Sequence, residues 1–179
     1  GALMKTATLL AAACLVIAAA GAQAAGYAGA DPFEFLLREA GARQAALGGA
    51  FAAGRDDPDV LVYNPAGLAS IEGTKIKYTA TDHFAGVEQR HFSFASARGL
   101  GLYYDFLGFG NIQRTTLSDP SGAGLSDFSA SALTLGAGWG AQAAPDWDAG
   151  AGLKYFRQDL DDAHAGGWAL DLGAQGLVL

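Results

Sequence analysis

The chain changes character near residue 73, where apolar and polar residues begin to alternate one by one. Because successive side chains of a β-strand point to opposite faces, a period of two predicts strands with one apolar and one polar face. Six runs keep this alternation, at residues 75–82, 87–98, 99–107, 128–141, 147–158 and 168–178. The pattern predicts six consecutive strands and an all-β fold.

The two faces of these strands differ in size as well as in polarity. The apolar faces are rich in aromatic residues and the polar faces carry small ones, the reverse of a packed soluble β-sandwich, which also alternates and is the alternative. Several aromatic residues lie toward strand ends, as in the girdles of membrane barrels: Tyr78, Phe106, Trp139, Trp147, Tyr155 and Trp168. The pattern favours an antiparallel transmembrane β-barrel.

The connections between the runs fall into two classes. Short turns are predicted at residues 98–99 and 142–146, and longer polar loops at residues 82–86, 108–127 and 160–167. Short turns at one end and longer loops at the other are typical of outer-membrane barrels.

The last predicted hairpin provides a consistency check on its register. With the loop centred near Ala163, Lys154 falls nearly opposite Asp171 on the polar face, and Leu153 falls opposite Leu172 on the apolar face. Opposite charges that face each other across two strands are stabilising. We therefore predict a lumen charge pair between Lys154 and Asp171.

The first 24 residues have the pattern of a secretory signal peptide. Lys5 precedes an uncharged apolar run at residues 7–20, and residues 22–24 (Ala-Gln-Ala) form a small-x-small cleavage pattern. A membrane anchor is disfavoured because the run is shorter than the roughly 20 residues of a spanning helix. A lipoprotein signal at Cys14 is a minor alternative. We predict cleavage after Ala24 and export from the cytoplasm.

Residues 25–72 lie between the signal and the strands and predict a short plug, or hatch. An apolar stripe that includes Phe33 and Leu36 predicts at most two helical turns, with Asp31 as N-cap and Pro32 at the first helical position. A glycine-rich stretch, an acidic turn and an Asn-Pro-Ala-Gly-Leu turn follow.

Both turns receive structural interpretations. The acidic turn that contains Asp56, Asp57 and Asp59 lacks the spacing of a calcium loop, so we predict a solvated turn. In the second turn, Asn64 is expected to hydrogen-bond local backbone while Pro65 fixes φ. Any functional role of this turn is expected to lie in setting the plug against the first strand.

Composition and motifs argue against several function classes. A net charge of -7 without a basic patch disfavours nucleic acid as a partner. The single cysteine lies in the predicted signal, so disulfides and thiolate zinc sites are not expected. His83, His91 and His164 lack metal-site spacing and are predicted to be surface or lumen residues. The strand serines lack a nucleophile elbow. We predict no enzyme, no metal and no cofactor.

Residues 41–70, GARQAALGGAFAAGRDDPDVLVYNPAGLAS, resemble the opening of the PorV/PorQ-like outer-membrane proteins, which are similar to FadL-type transporters of hydrophobic compounds. The matching positions are Gly41, Ala42, Arg43, Gly48, Gly49, Ala50, Asp56, Asp57, Tyr63, Asn64, Pro65, Ala66, Gly67 and Leu68. The resemblance continues at residues 110–115, 154–155, 160–162 and 167–173, and so covers nearly the whole mature chain.

The resemblance implies an outer-membrane location in contact with lipid, with residues 25–72 as a hatch inside a larger barrel and residues 73–179 as its N-terminal strands. In FadL-type relatives the hatch guards diffusion of apolar molecules, whereas PorV-like members shuttle cargo in type IX secretion. We expect passive transport of hydrophobic small molecules. The alternatives are an accessory role with protein-secretion partners, or a structural outer-membrane protein.

The resemblance also implies an apolar ligand path beside the hatch. The residues expected near this path are Phe33, Phe35, Leu36, Leu47 and Phe51. Closure of a barrel needs at least about eight strands, so we expect further strands, or association of chains, to complete the barrel.

Overall fold

The computed structural model describes residues 33–176. The predicted signal peptide, the predicted cap at Asp31 and the last two predicted residues of the sixth strand lie outside this range. The chain divides into two compact units, residues 1–34 and 35–179. Only Phe33 and Glu34 of the first unit are described, and the fold below is that of the second.

Six strands form one antiparallel sheet in which each strand pairs with the next along the chain. The strands are β1 (Thr74–Asp82), β2 (Glu88–Ser96), β3 (Leu100–Ile112), β4 (Phe128–Ala144), β5 (Trp147–Leu160) and β6 (Ala163–Gly176). The predicted all-β class and strand order are confirmed. Among the described residues the sheet is open, because β1 and β6 pair on one side only.

Short helices precede the sheet, and none of them is a long packing element. They are a 3-10 turn (Glu34–Leu37), α1 (Ala42–Ala46), α2 (Val60–Tyr63) and a second 3-10 turn (Pro65–Ser70), with a third at Phe84–Gly86 between β1 and β2. Within residues 33–176, no helix combines the length and the hydropathy needed to cross a bilayer.

β3 is longer than predicted. The alternation predicts an end at residue 107, but the strand continues to Ile112 through an irregularity in its pairing with β4 between Gly108 and Asn111. Gly110 there has φ of 65°, a left-handed value that glycine adopts without steric cost. A bulge inserts an extra residue and breaks the period of two, which is why the prediction stopped short.

β6 begins earlier than predicted, and the predicted loop at residues 160–167 is wrong. β5 and β6 are joined by a tight turn at Asp161 and Asp162, with Asp161 at φ of 54°. Aspartate tolerates this conformation better than most residues. Gly166 and Gly167 pack against Phe156. Because glycine has no side chain, these two positions do not show the alternation of apolar and polar residues. Of the connections at this end of the sheet, only residues 113–127 form a long loop.

The register of this hairpin also differs from the prediction by two residues. Lys154 pairs with Ala169, and Leu153 pairs with Leu170. The shift follows from the turn, which is centred between Asp161 and Asp162 rather than at Ala163. Because the shift is even, every side chain keeps its predicted face.

The two faces of the sheet have different surroundings. Residues 35–72, here called the covering segment, pack on one face, the inner face. A buried apolar cluster joins them to it: Phe51, Val60, Leu61, Leu68, Ile71, Ala95 and Tyr103.

The outer face carries large apolar side chains that remain exposed. One row of direct cross-strand neighbours runs through all six strands: Tyr78, Phe92, Tyr104, Leu135, Tyr155 and Trp168. Below this row lie Leu170 and Leu172, which are 68% and 78% exposed. The large apolar residues therefore face away from the only element packed on the described sheet.

Candidate functional site

The contact between the covering segment and the inner face forms the candidate site, and it has two halves. On the β4–β6 side the segment lies directly on a row of glycines, Gly140, Gly150 and Gly173, which are cross-strand neighbours. We call this row the glycine seat. A Cβ on Gly150 would lie 2.5 Å from the carbonyl oxygen of Pro65, and one on Gly140 would lie at the same distance. Backbone meets backbone here, so any side chain would displace the segment.

Asn64 holds the segment on this seat. Its Nδ2 donates to the carbonyl oxygens of Ala52, at 2.9 Å, and of Ala174 in β6, at 3.2 Å. Its Oδ1 accepts from the amide of Ala66 at 3.1 Å. The predicted bond from Asn64 to local backbone is confirmed. The predicted attachment of this turn to the first strand is wrong, because the bond reaches β6 at the other edge of the sheet.

On the β1–β3 side the contact is made by polar side chains around Asp59. Asp59 is fully buried, its Oδ1 accepts from the Ser93 hydroxyl at 2.5 Å, and His91 Nε2 lies 3.2 Å from the same oxygen. Its Oδ2 lies 2.7 Å from Lys77 Nζ, as an ion pair whose angles fall outside hydrogen-bond geometry. We call this cluster, with Asp105 of β3, the polar latch.

The polar latch continues across the sheet through His91. Its Nδ1 lies 2.9 Å from Asp105 Oδ2, so each ring nitrogen faces a carboxylate. The ring can donate to both only when each nitrogen carries a proton. Gln89 donates to the same Asp105 oxygen at 2.9 Å and to the Glu39 carbonyl at 3.2 Å, which ties the start of the covering segment to β2.

The acidic turn belongs to this half, and the prediction of a solvated turn is wrong for two of its three carboxylates. Asp57 is 8% exposed and lies 3.4 Å from both Lys77 Nζ and Arg43 Nη1. Asp56 is more exposed and pairs with Lys75 at 2.6 Å. Lys75 and Lys77 point inward from β1, so the two strand lysines provide the opposite charges that the turn needs.

The surroundings of Asp59 also set its protonation. Burial alone would raise the pKa of this carboxyl, but His91, Lys77 and Ser93 outweigh burial and hold its pKa below the usual range. Asp59 is therefore a buried, fully paired carboxylate. Removing one partner of such a group is strongly destabilising, because it leaves a charge without compensation.

One buried group beside the latch is poorly satisfied. The Gln44 side chain is fully buried, and neither atom of its amide has a hydrogen-bond partner among the described residues. A Cβ on Gly41 would lie 3.0 Å from Gln44 Oε1 and 3.4 Å from Thr79 Oγ1, which places α1 close to β1. A buried unpaired amide costs about 1–3 kcal/mol.

The residues expected along an apolar ligand path do not form one surface. Phe51 is buried and meets Tyr63 edge to face, and Leu47 is half exposed. Phe35 and Leu36 line a cavity of about 30 Å³ that His91 and Asp105 of the latch also line. Phe33 lies in the first unit.

The remaining residues of the predicted hatch motif lie in turns or in packing contacts. Gly48 and Gly49 have φ of 61° and 79° in the turn after α1. A Cβ on Gly67 would lie 2.8 Å from Val60 Cβ, so this glycine permits contact between α2 and the 3-10 turn that follows it. Arg43 lies over the Phe51 ring, 5.2 Å from its centroid.

The lumen pair of the prediction lies on the inner face. Lys154 Nζ and Asp171 Oδ2 are 2.9 Å apart, as a diagonal pair and not as directly opposed residues.

The site has the features of an attachment between the covering segment and the sheet. Ser93 donates to Asp59, and His91 is occupied by two carboxylates, so no serine–histidine pair is formed in the described part of the chain. Within residues 33–176, no three His, Cys, Asp or Glu side chains are grouped so as to hold a metal ion. The sequence prediction missed the contact between Asp59 and His91, which lie 32 positions apart in the chain.

No protein-family model and no curated protein matches the chain.

Proposed function

We propose that the protein forms part of the wall of an outer-membrane β-barrel, and that its covering segment plugs the interior and controls the passage of hydrophobic small molecules. The observation that carries the proposal is the inverted polarity of the sheet. The polar and small side chains face the covering segment, whereas aromatic and leucine side chains cover the outer face. Such a surface is unfavourable in water and suits lipid hydrocarbon.

The height of the apolar band supports the same proposal. On β5 the outward positions from Trp147 to Tyr155 carry no charge, and the charged residues Arg157 and Asp159 follow them. At about 3.4 Å per residue this stretch is about 27 Å long. Tilted by about 40°, it is about 21 Å high, close to the apolar band of about 25 Å in outer-membrane barrels.

The two open edges of the sheet bear on how such a wall would be completed. Unpaired backbone groups on β1 and β6 would each cost several kcal/mol in hydrocarbon. We therefore propose that further strands pair with both edges in the membrane, either from a longer chain or from a second copy.

The role of the covering segment follows from its position on the inner face. Within a closed wall it would occupy the interior, as the resemblance to PorV/PorQ-like and FadL-type proteins implies for residues 25–72. The cavity beside Phe35 and Leu36 lies between this segment and the wall. Passage of small molecules then depends on how the segment is held.

The test combines two measurements on the protein purified in detergent. A barrel should migrate differently on gels when unheated and when boiled, with a strand-rich circular dichroism spectrum. Reconstituted vesicles should then admit a hydrophobic fluorescent probe faster when residues 35–72 are deleted. A monodisperse protein that needs no detergent would refute the membrane proposal. A barrel with no probe flux in either form would refute transport and favour the accessory role in secretion.

A further inference from the structure

We propose that the covering segment opens on one side only: the half that contains α1 leaves strands β1–β3, while the 3-10 turn Pro65–Ser70 stays on the glycine seat as a pivot. The opening is a property of the contacts described above and does not depend on a membrane. Its use as the passage for small molecules rests on the proposed function.

On the seat side, the covering segment cannot separate from strands β4–β6 unless this part of the chain unfolds. Gly140 and Gly150 meet the segment backbone to backbone, and a Cβ on Gly173 would overlap the Asn64 side chain. Asn64 bonds to β6, and Arg55 pairs with Asp148 of β5 at 3.1 Å. Close-packed contacts of this kind are lost together or not at all.

The latch side is built differently. Here the segment is connected to the sheet by the ends of side chains, among them Lys77, His91 and Ser93, which can exchange their partners for water. A cavity of about 30 Å³ lies beside His91, between the segment and the sheet. Opening would also hydrate the amide of Gln44, which lacks partners when buried. Of the residues of α1 only Gln44 is buried, and polar groups that gain from hydration favour local opening.

The charged groups that face Asp59 come from every neighbouring element. Asp57 lies on its own turn, Lys77 on β1 and His91 on β2, with Asp105 of β3 behind the imidazole. Neutralising Asp59 without changing its shape should therefore weaken the direct attachment to β1 and β2, and through His91 the link to Asp105 of β3. The substitution Asp59→Asn does this.

The test is amide hydrogen exchange, followed by mass spectrometry, on the full chain in detergent at neutral pH. In Asp59→Asn, exchange in residues 41–51 should rise roughly tenfold or more, while exchange in residues 61–72 should stay within about twofold of the unsubstituted chain. Asp56→Asn is the matched control, because Asp56 lies in the same turn and pairs with a strand lysine but is 44% exposed, whereas Asp59 is buried. It should leave both regions within about twofold. Equal acceleration of both regions, or none in either, would overturn the proposal.

A second variant keeps the test valid if Asp59→Asn does not fold. Gly41→Cys with Thr79→Cys, in a chain that also carries Cys14→Ser, should form a disulfide, because a Cβ on Gly41 would lie 3.4 Å from Thr79 Oγ1. The oxidised form should suppress exchange in residues 41–51 and, in vesicles, stop probe flux until a reductant is added. Unchanged exchange on oxidation would overturn the opening. Suppressed exchange with unchanged flux would overturn only its use as the passage.

Discussion

The glycine seat and the polar latch hold the same segment on the same sheet by opposite means. At the seat the sheet residues are glycines, so two backbones touch at Gly140 and Gly150. At the latch, long side chains such as Lys77 and His91 bridge a wider separation with charge. The seat depends on shape and the latch on ionisation, so different substitutions should weaken each half.

The two halves also differ in whether their contacts with the sheet can loosen by a small amount. A close backbone contact cannot loosen by a small amount, because packed interiors resist partial separation. A charged bridge can exchange one partner for water. The largest losses of stability are expected from substitutions at the seat, and smaller ones from substitutions at the latch and its exposed edge.

The largest effect is expected from Gly150→Ala. The new Cβ would lie 2.4 Å from the carbonyl carbon of Pro65 and 2.6 Å from the amide of Ala66, and neither backbone atom can yield easily. We expect a loss of about 3 kcal/mol in the free energy of unfolding, measured by urea titration in detergent. Gly124→Ala is the control, since its Cβ would meet only Asp119 Oδ2 at 3.7 Å. Equal stability of the two variants would mean that the glycines do not form a seat.

A smaller loss is expected from Asn64→Ala. The substitution removes two donated bonds, to Ala52 and Ala174, and leaves the amide of Ala66 without its acceptor. The same titration should show a loss of about 2 kcal/mol. Gln113→Ala, which removes one exposed bond to the Ser121 carbonyl, should change stability by less than about 0.5 kcal/mol. An Asn64→Ala variant as stable as Gln113→Ala would show that β6 does not hold this turn.

Lowering the pH should weaken the latch in the unsubstituted chain, and Asp59→Asn should remove this effect. The pKa of Asp59 in the folded chain lies below its ordinary value of 3.8, so the unfolded chain binds the proton first as pH falls. The contribution of Asp59 is therefore complete at neutral pH and disappears as pH falls through the folded pKa. The stability difference between the unsubstituted chain and Asp59→Asn should be constant above about pH 5 and shrink below about pH 4. A difference that is the same at pH 7 and pH 3 would contradict this role.

The smallest effect is expected from Lys75→Gln. Lys75 and Asp56 form a pair at the exposed border of the latch, with 30% and 44% of their side chains accessible. Exposed pairs contribute little to stability, so the midpoint of urea unfolding should lie close to that of the unsubstituted chain. A larger loss of stability would show that the Lys75–Asp56 pair is part of the latch.

The sequence was most informative where the physical signal is local. Alternation is a property of neighbouring residues, so it predicted the six strands, their order and their faces. It failed at the bulge after Gly108 and at the Asp161 turn, where one residue changes the period or the connection. Asn64 was correctly expected to bond its own turn, since that contact spans two residues.

The candidate site could be predicted only in part, because both halves depend on register. Gly140, Gly150 and Gly173 are far apart in the chain and form a row only after β4, β5 and β6 are aligned. Asp59 and His91 likewise meet across 32 positions. Nothing in the local pattern distinguishes these glycines or this carboxylate from others of their kind.

The inner face of the sheet carries the covering segment, and we propose that its outer face lies against lipid. The three tryptophans of the chain, Trp139, Trp147 and Trp168, all lie on the outer face and are more than half exposed. The most direct test reconstitutes the protein in vesicles and measures tryptophan quenching by brominated acyl chains and by aqueous acrylamide. We expect strong quenching by the brominated lipid and weak quenching by acrylamide. The opposite result, with acrylamide effective and brominated lipid without effect, would contradict the proposal.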